Sequence, residues 1–272
     1  MASEVFPFVK AGGLADVVGA LPAALAHEGV AVRTLIPGYP GVVDALSDGE
    51  TLDTFAHLHG GPARLLASSA RGLDLLVLDA PHLYARPGNP YCAPDGNDWP
   101  DNALRFTALA ACATAIGRGI VAGYRPDIVH AHDWQAGLAV ALLHYGGKPR
   151  PHTVMTVHNL AFQGVFPPPL LATIGLPPHA FAIDGVEYHG AISYLKAGLA
   201  LADRITTVSP SYAAEIRTPE GGMGFDGLPR THADVLVGIL NGIDESVWNL
   251  ATDAHLAVRF DARHRGRRAP NK

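Results

Sequence analysis

Apolar positions along the chain switch repeatedly between two periods. Leu14, Val17, Val18, Leu21 and Leu25 recur at helical spacing behind Gly12-Gly13 and predict a helix over 12–29, bent at Pro22. A short β-rich run at 30–36 ends in Pro-Gly-Tyr-Pro-Gly, a loop. Strands at 52–58 and 63–69 flank Gly60-Gly61-Pro62 as a hairpin, and Leu-Asp-Leu-Leu-Val-Leu at 73–78 reads as a buried strand. After a loop rich in Pro, Gly, Asn and Asp, the Ala-rich stretch 101–121 predicts a helix buried on most sides. Strands at 127–132, 152–158, 204–208 and 235–240 then alternate with helices at 134–145, 191–202 and 209–216; Ser209-Pro210 supplies an N-cap and first-turn proline for the last. This alternation predicts an α/β fold with a mostly parallel sheet, whose ligand site lies at the carboxyl ends of the strands.

Polar side chains gather where the strands end. His130-Ala131-His132-Asp133-Trp134, His158-Asn159, Ser209 and Asn241-Gly242 each follow a predicted strand, and Lys10-Ala11-Gly12-Gly13 opens the first helix. Two glycines at a helix N-terminus let the backbone approach an anion, and Lys10 adds a full charge suited to phosphate. The same residues also make a plain glycine turn with an exposed lysine. His130 and His132 share one face of a strand and Asp133 points away, so a metal site lacks an identifiable third ligand. Trp134 reads as core or as a platform for a sugar ring. His158-Asn159 suits orienting hydroxyls, or forms a loop; Glu4 is a hydroxyl partner or a surface acid; Tyr84 is a ring facing a sugar or a loop residue.

Composition narrows the function classes. Of the 272 residues 48% are hydrophobic and 17% charged, which excludes disorder as the main state. The net charge of −5 excludes a broad nucleic-acid-binding field; the basic cluster Arg259, Arg263, Arg265, Arg267, Arg268 and Lys272 reads as a solvated linker. Two cysteines, Cys92 and Cys112, with no Cys-x-x-Cys fit a reducing cytoplasm. Neither a signal peptide nor a membrane span is expected. No Gly-x-Gly-x-x-Gly supports a dehydrogenase, and no Gly-x-Ser-x-Gly supports a serine hydrolase.

Taken in order, Ser3-Glu4-Val5-Phe6-Pro7, Lys10-Ala11-Gly12-Gly13-Leu14, His130-Ala131-His132-Asp133-Trp134-Gln135, Thr156-Val157-His158-Asn159-Leu160, Ser193-Tyr194-Leu195-Lys196-Ala197-Gly198, Val208-Ser209-Pro210 and Leu240-Asn241-Gly242-Ile243-Asp244 resemble the bacterial glycogen synthase and plant starch synthase family over residues 3–250. The resemblance implies the Rossmann-like N-terminal domain of a GT-B glycosyltransferase at 1–250, with the interdomain linker beginning at 251–272. It also implies that the C-terminal Rossmann-like domain is absent, and with it the first strand of the family's sheet. The implied activity is transfer of glucose from ADP-glucose to the non-reducing end of an α-1,4-glucan with retention, without a cofactor or metal. This chain alone is expected to be inactive.

Carried over by matching motifs, His158 and Asp133 are the catalytic candidates. Lys10, Gly12, Gly13, Asn159 and Asn241 are the donor-binding ones, and Glu4, Tyr84 and Trp134 line the acceptor cleft. A glucan-binding module without turnover, and a related transferase using UDP-glucose, stay open at this point.

Overall fold

The computed structural model describes residues 1–46, 48–244 and 248–271, which leaves Lys272 of the basic tail outside the described residues. It divides into two units, Met1–Leu240 and Asn241–Lys272. The second contains a 3-10 helix at Arg265–Asn271, and Asn271 closes it by exchanging bonds with the backbone of Val258 at 3.0 and 2.7 Å.

In the first unit the strands are β1 (Thr34–Pro37), β2 (Glu50–Leu58), β3 (Gly61–Ala70), β4 (Leu73–Asp79), β5 (Ile128–His132), β6 (His152–Val157), β7 (Val165–Phe166), β8 (Glu187–Tyr188), β9 (Ala191–Ser193), β10 (Arg204–Thr207) and β11 (Leu236–Gly238). The helices are α1 (Gly13–Ala26), α2 (Pro40–Val43), α3 (Pro81–Tyr84), α4 (Asn102–Gly117), α5 (Trp134–Tyr145), α6 (Tyr194–Leu201), α7 (Pro210–Glu215) and α8 (Gly227–Thr231).

Two four-stranded sheets replace the one expected. The first has the order β1-β4-β3-β2, with β1 and β4 parallel and the β2–β3 hairpin antiparallel. The hairpin turns at His59 and Gly60, both at positive φ. The second, β11-β10-β6-β5, is wholly parallel. Met1 and Ala2 run between the facing edges β1 and β5. Ala2 N–H donates to Leu35 O at 3.1 Å, His132 N–H donates to Met1 O at 3.2 Å, and the Met1 amine donates to His130 O at 2.6 Å. Backbone groups that an open edge would leave unpaired are thus satisfied on both sides.

Three elements depart from the sequence pattern. The helix expected over 191–202 begins only at Tyr194, because Ile192 and Ser193 pair in β9 with β7 and Ser193 Oγ caps α6 by accepting Lys196 N–H at 3.1 Å. The strand expected over 30–36 shortens to β1. Helix α4 stops at Gly117, and a turn through Gly119 at positive φ follows. Helix α1 continues through Pro22.

Helices α5 and α6 approach closely. A Cβ at Gly137 would overlap the Tyr194 carbonyl oxygen and lie 3.0 Å from its carbon. α5 is accordingly buried on nearly every side. Within α4, fully buried Arg105 donates to Leu83 O (2.9 Å), Pro90 O (3.0 Å) and Asn102 Oδ1 (2.6 Å), stapling the 81–102 loop to the core. Among the described residues, no helix is long and apolar enough to cross a membrane.

Candidate active site

The carboxyl ends of β5 and β6 and the loop before α1 bring most of the strand-end residues together. At the loop, Glu4 is 3% exposed. One carboxylate oxygen accepts the N–H groups of Ala11 and of Gly12 (3.0 Å), and the other accepts the Tyr91 hydroxyl at 2.7 Å. Tyr91 Oη also lies 2.8 Å from Ser3 Oγ. Glu4 thus anchors the turn that opens α1.

The turn leaves the α1 N-terminus uncovered. Gly12 has φ −147°, and no side chain caps the helix. A Cβ on Gly12 or Gly13 would meet nothing within 4 Å, so the fold itself does not require glycine at either position. What their missing side chains provide is open space in front of the helix N–H groups. Half-exposed Lys10 donates to both Asp16 carboxylate oxygens at 2.7 Å. An exposed pair of this kind is worth at most about 1 kcal/mol, so an arriving anion displaces it cheaply.

Across the strand ends stands a group of three histidines. His130 and His132 stack with ring centroids 4.2 Å apart, and His132 Nδ1 lies 3.1 Å from His158 Nε2. His130 Nε2 lies 2.6 Å from Thr156 Oγ1. Burial pushes His158 down to about 4 and His130 to about 3; His132 falls well below the usual histidine value for the same reason, with His130 and the Met1 amine adding repulsion. All three rings are neutral at pH 7.

Asp133 adopts φ 57°, ψ −175°, a conformation that costs a non-glycine residue about 1–3 kcal/mol and recurs at functional sites. The strain is offset by two bonds. Its N–H donates to Thr156 O at 2.9 Å, and its carboxylate accepts His158 N–H at 2.7 Å. Burial raises the acid to about 7, against the opposing pull of the His158 and Asn159 amides. Exposed Asn159 uses its side-chain oxygen to accept Ala161 N–H at 2.9 Å. Asn241 is exposed and belongs to the second unit.

Two residues assigned to the acceptor cleft are buried. Tyr84 is 1% exposed; its hydroxyl donates to Arg105 O at 2.6 Å and its ring meets Tyr39 edge-on. Trp134 is 9% exposed, packs edge-to-face on Phe106 at 4.9 Å, and is covered by Gly164, whose Cβ would overlap the indole. Both rings are packed into the core, Tyr84 with only an edge at the floor of a pocket. The aromatic residue that sequence reasoning missed is Tyr91. It follows Tyr84 by seven positions, in a stretch the sequence reads as one loop, and the bond to Glu4, 87 positions away, sets it apart. Beside the turn, Phe8, Tyr39, Pro40, Arg86 and Asn89 line a pocket of about 230 Å³ above Tyr84 and Arg105. Among the described residues, no group of three or more His, Cys, Asp or Glu side chains is arranged to hold a metal ion.

Comparison with known proteins places this geometry. The chain superposes with a TM-score of 0.81 on the catalytic domain of starch synthase IV from Arabidopsis thaliana bound to ADP and acarbose, at 30% identity over 97% of this chain and 55% of that one. The fold is that of the Rossmann-like N-terminal half of a GT-B glycosyltransferase. The chain is 62% identical over 271 residues to a glycogen synthase of Rhodopseudomonas palustris strain BisB18, and 62% identical over 270 residues to one of Methylocella silvestris. It covers 100% and 99% of itself in these matches but 55% and 56% of the relatives, so it spans about half their length. The family described as "Starch synthase catalytic domain" matches residues 1–231, and the chain belongs to that family.

Proposed function

We propose that the protein transfers glucose from ADP-glucose to the non-reducing end of an α-1,4-glucan, with retention and without a metal or organic cofactor, in the cytoplasm. The observation that carries this reading is the uncovered α1 N-terminus behind Gly12-Gly13, anchored by Glu4 and flanked by a displaceable Lys10, in a chain 62% identical to glycogen synthases. The transition state places charge on the departing diphosphate. Helix N–H groups stabilise that charge without reorganising, and Lys10 joins them by giving up its exposed Asp16 pair. His158 and Asn159 position the glucosyl group, and Asp133 holds the His158 loop in place. The acceptor hydroxyl attacks from the face the leaving group vacates, and the diphosphate takes its proton, so no protein nucleophile is required.

The test uses the whole protein and this chain side by side, with ADP-glucose or UDP-glucose as donor and glycogen as acceptor. Because the chain covers 55% of its relatives, the reading expects glucosyl transfer from the whole protein with ADP-glucose preferred. From this chain alone it expects glucan binding without turnover. A whole protein that transfers glucose from neither donor overturns the reading, and one that prefers UDP-glucose corrects the donor.

A further inference from the structure

We infer that the pocket beside the glycine turn is a binding site for a small oxyanion, a phosphate or carboxylate group on a body of a few carbon atoms, held by Arg105 and Tyr39. The pocket has a volume of about 230 Å³. Phe8 borders it from the turn, Tyr39 and Val42 from around α2, and Arg86 and Asn89 from the loop after α3. Two arginines and no acid stand among the residues that line it, and Lys10, Gly12 and Gly13 are not among them. Sites for drug-sized ligands run to roughly 300–1,000 Å³, so the guest here is small.

Arg105 is 1% exposed and carries a charge that no carboxylate among the described residues neutralises. Its Nε and Nη1 donate to two backbone carbonyls and to the Asn102 amide oxygen, all neutral. The acids nearby are engaged elsewhere. Asp101 holds Arg86 with both oxygens, at 2.6 and 2.5 Å, and Glu4 accepts Ala11, Gly12 and Tyr91. The rings of Tyr84 and Phe106, centred 5.8 and 5.6 Å from the guanidinium carbon, soften the charge without cancelling it. A guanidinium stays protonated, and a buried charge is ordinarily paired. The remaining nitrogen, Nη2, has no partner among the described residues and is not sealed from solvent; the pocket is the space that Arg105 borders. Tyr39 supplies the second group. It lines the same pocket, and its hydroxyl is buried without a partner while Tyr84 holds its ring edge-on at 5.7 Å. One water could satisfy that hydroxyl, but water leaves the guanidinium without a counter-ion. An oxyanion satisfies both groups at once, through charge-assisted bonds, and Phe8 and Val42 give its carbon body an apolar wall.

Isothermal titration of the whole protein compares glycerol 3-phosphate, lactate and uncharged glycerol. The expected result is a dissociation constant below about 1 mM for at least one of the two anions and no measurable binding of glycerol; which anion binds tells phosphate from carboxylate. Tyr39→Phe weakens that binding roughly tenfold or more, because it removes a bond to a charged partner. It leaves the empty protein at least as heat-stable as the wild type, because the lost hydroxyl had no partner. Gly41 also lines the pocket, and a Cβ there meets only Phe8 O at 3.8 Å, so Gly41→Leu fills the space and abolishes binding. Lys10→Ala keeps the wild-type affinity, which separates the pocket from the α1 N-terminus. Dissociation constants above about 1 mM for both anions, or glycerol binding as tightly as an anion, overturn the inference. So does anion binding that Tyr39→Phe or Gly41→Leu leaves at full strength, or that Lys10→Ala removes. Should one pocket variant fail to fold, the other decides. None of these readouts depends on glucosyl transfer, so failure of that reading leaves them standing.

Discussion

Replacing Glu4 by Ala separates two roles for that residue. As a ligand-facing acid it would be dispensable for folding, and removing an unpaired buried carboxylate would leave stability unchanged or raise it. The structure instead gives it three donors: Ala11 N–H, Gly12 N–H at 3.0 Å and Tyr91 O–H at 2.7 Å. Bonds to an ionised acceptor contribute about 1.5–3 kcal/mol each. Ala11 and Gly12 are exposed, so water re-pairs their amides and the lower end of that range applies to them. Half-buried Tyr91 keeps a partner in Ser3 at 2.8 Å. The loss in Glu4→Ala is then about 3–5 kcal/mol, a large part of the roughly 5–15 kcal/mol typical of a domain. With an m-value of about 3 kcal/mol/M, the urea midpoint falls by about 1 M or more. Glu4→Gln keeps an acceptor oxygen and loses only the charge, at about 1–2 kcal/mol. Urea unfolding of this chain, followed by circular dichroism, measures both. An Ala variant with the wild-type midpoint would refute the anchoring role.

Lys10→Ala lowers kcat of the whole enzyme roughly 10²–10³-fold; the urea midpoint moves little, since the Asp16 pair is exposed, and near-wild-type turnover would sink the diphosphate role. Gly137→Ala places a methyl against the Tyr194 carbonyl and lowers unfolding free energy by about 1–3 kcal/mol despite the better helix propensity of Ala; thermal melting checks it. The pH dependence has two opposing parts. His130, His132 and His158 have folded pKa values held below 6.5, so their contribution is present above pH 6.5 and is lost as pH falls toward 4. Asp133, raised from 3.8 to about 7, takes its proton first in the folded state, so its contribution is full below about 4 and fades as pH rises to 7. The wild type therefore loses stability between pH 6.5 and 4.5, and Asp133→Asn loses it more steeply. Equal slopes in a pH series of melts would contradict the buried state of Asp133.

Much of the fold was legible because its signals are local. The β2–β3 hairpin follows from Gly60-Gly61 between alternating runs, and α5 at Trp134–Tyr145 matches the predicted bounds. The misreadings share one cause. Ile192-Ser193 belongs to a strand because β7 lies beside it, and no window on 191–202 contains that neighbour. Tyr84 and Tyr91 sit seven positions apart in a stretch that reads as one loop; the structure ends helix α3 at the first and buries it beside Arg105, and it bonds the second to Glu4.

The sequence by itself determined the alternation of strands and helices, the strand ends where polar residues collect, and the glycine turn with its lysine, because periodicity, turn chemistry and helix-terminus electrostatics act over a few residues. Only the tertiary structure decided what those residues do. It made Glu4 the anchor of a turn, sent Trp134 and Tyr84 into the core, and brought His132 Nδ1 to 3.1 Å from His158 Nε2. Each of these depends on which groups compete for the same buried donor or acceptor, and that competition exists only once distant segments are packed together.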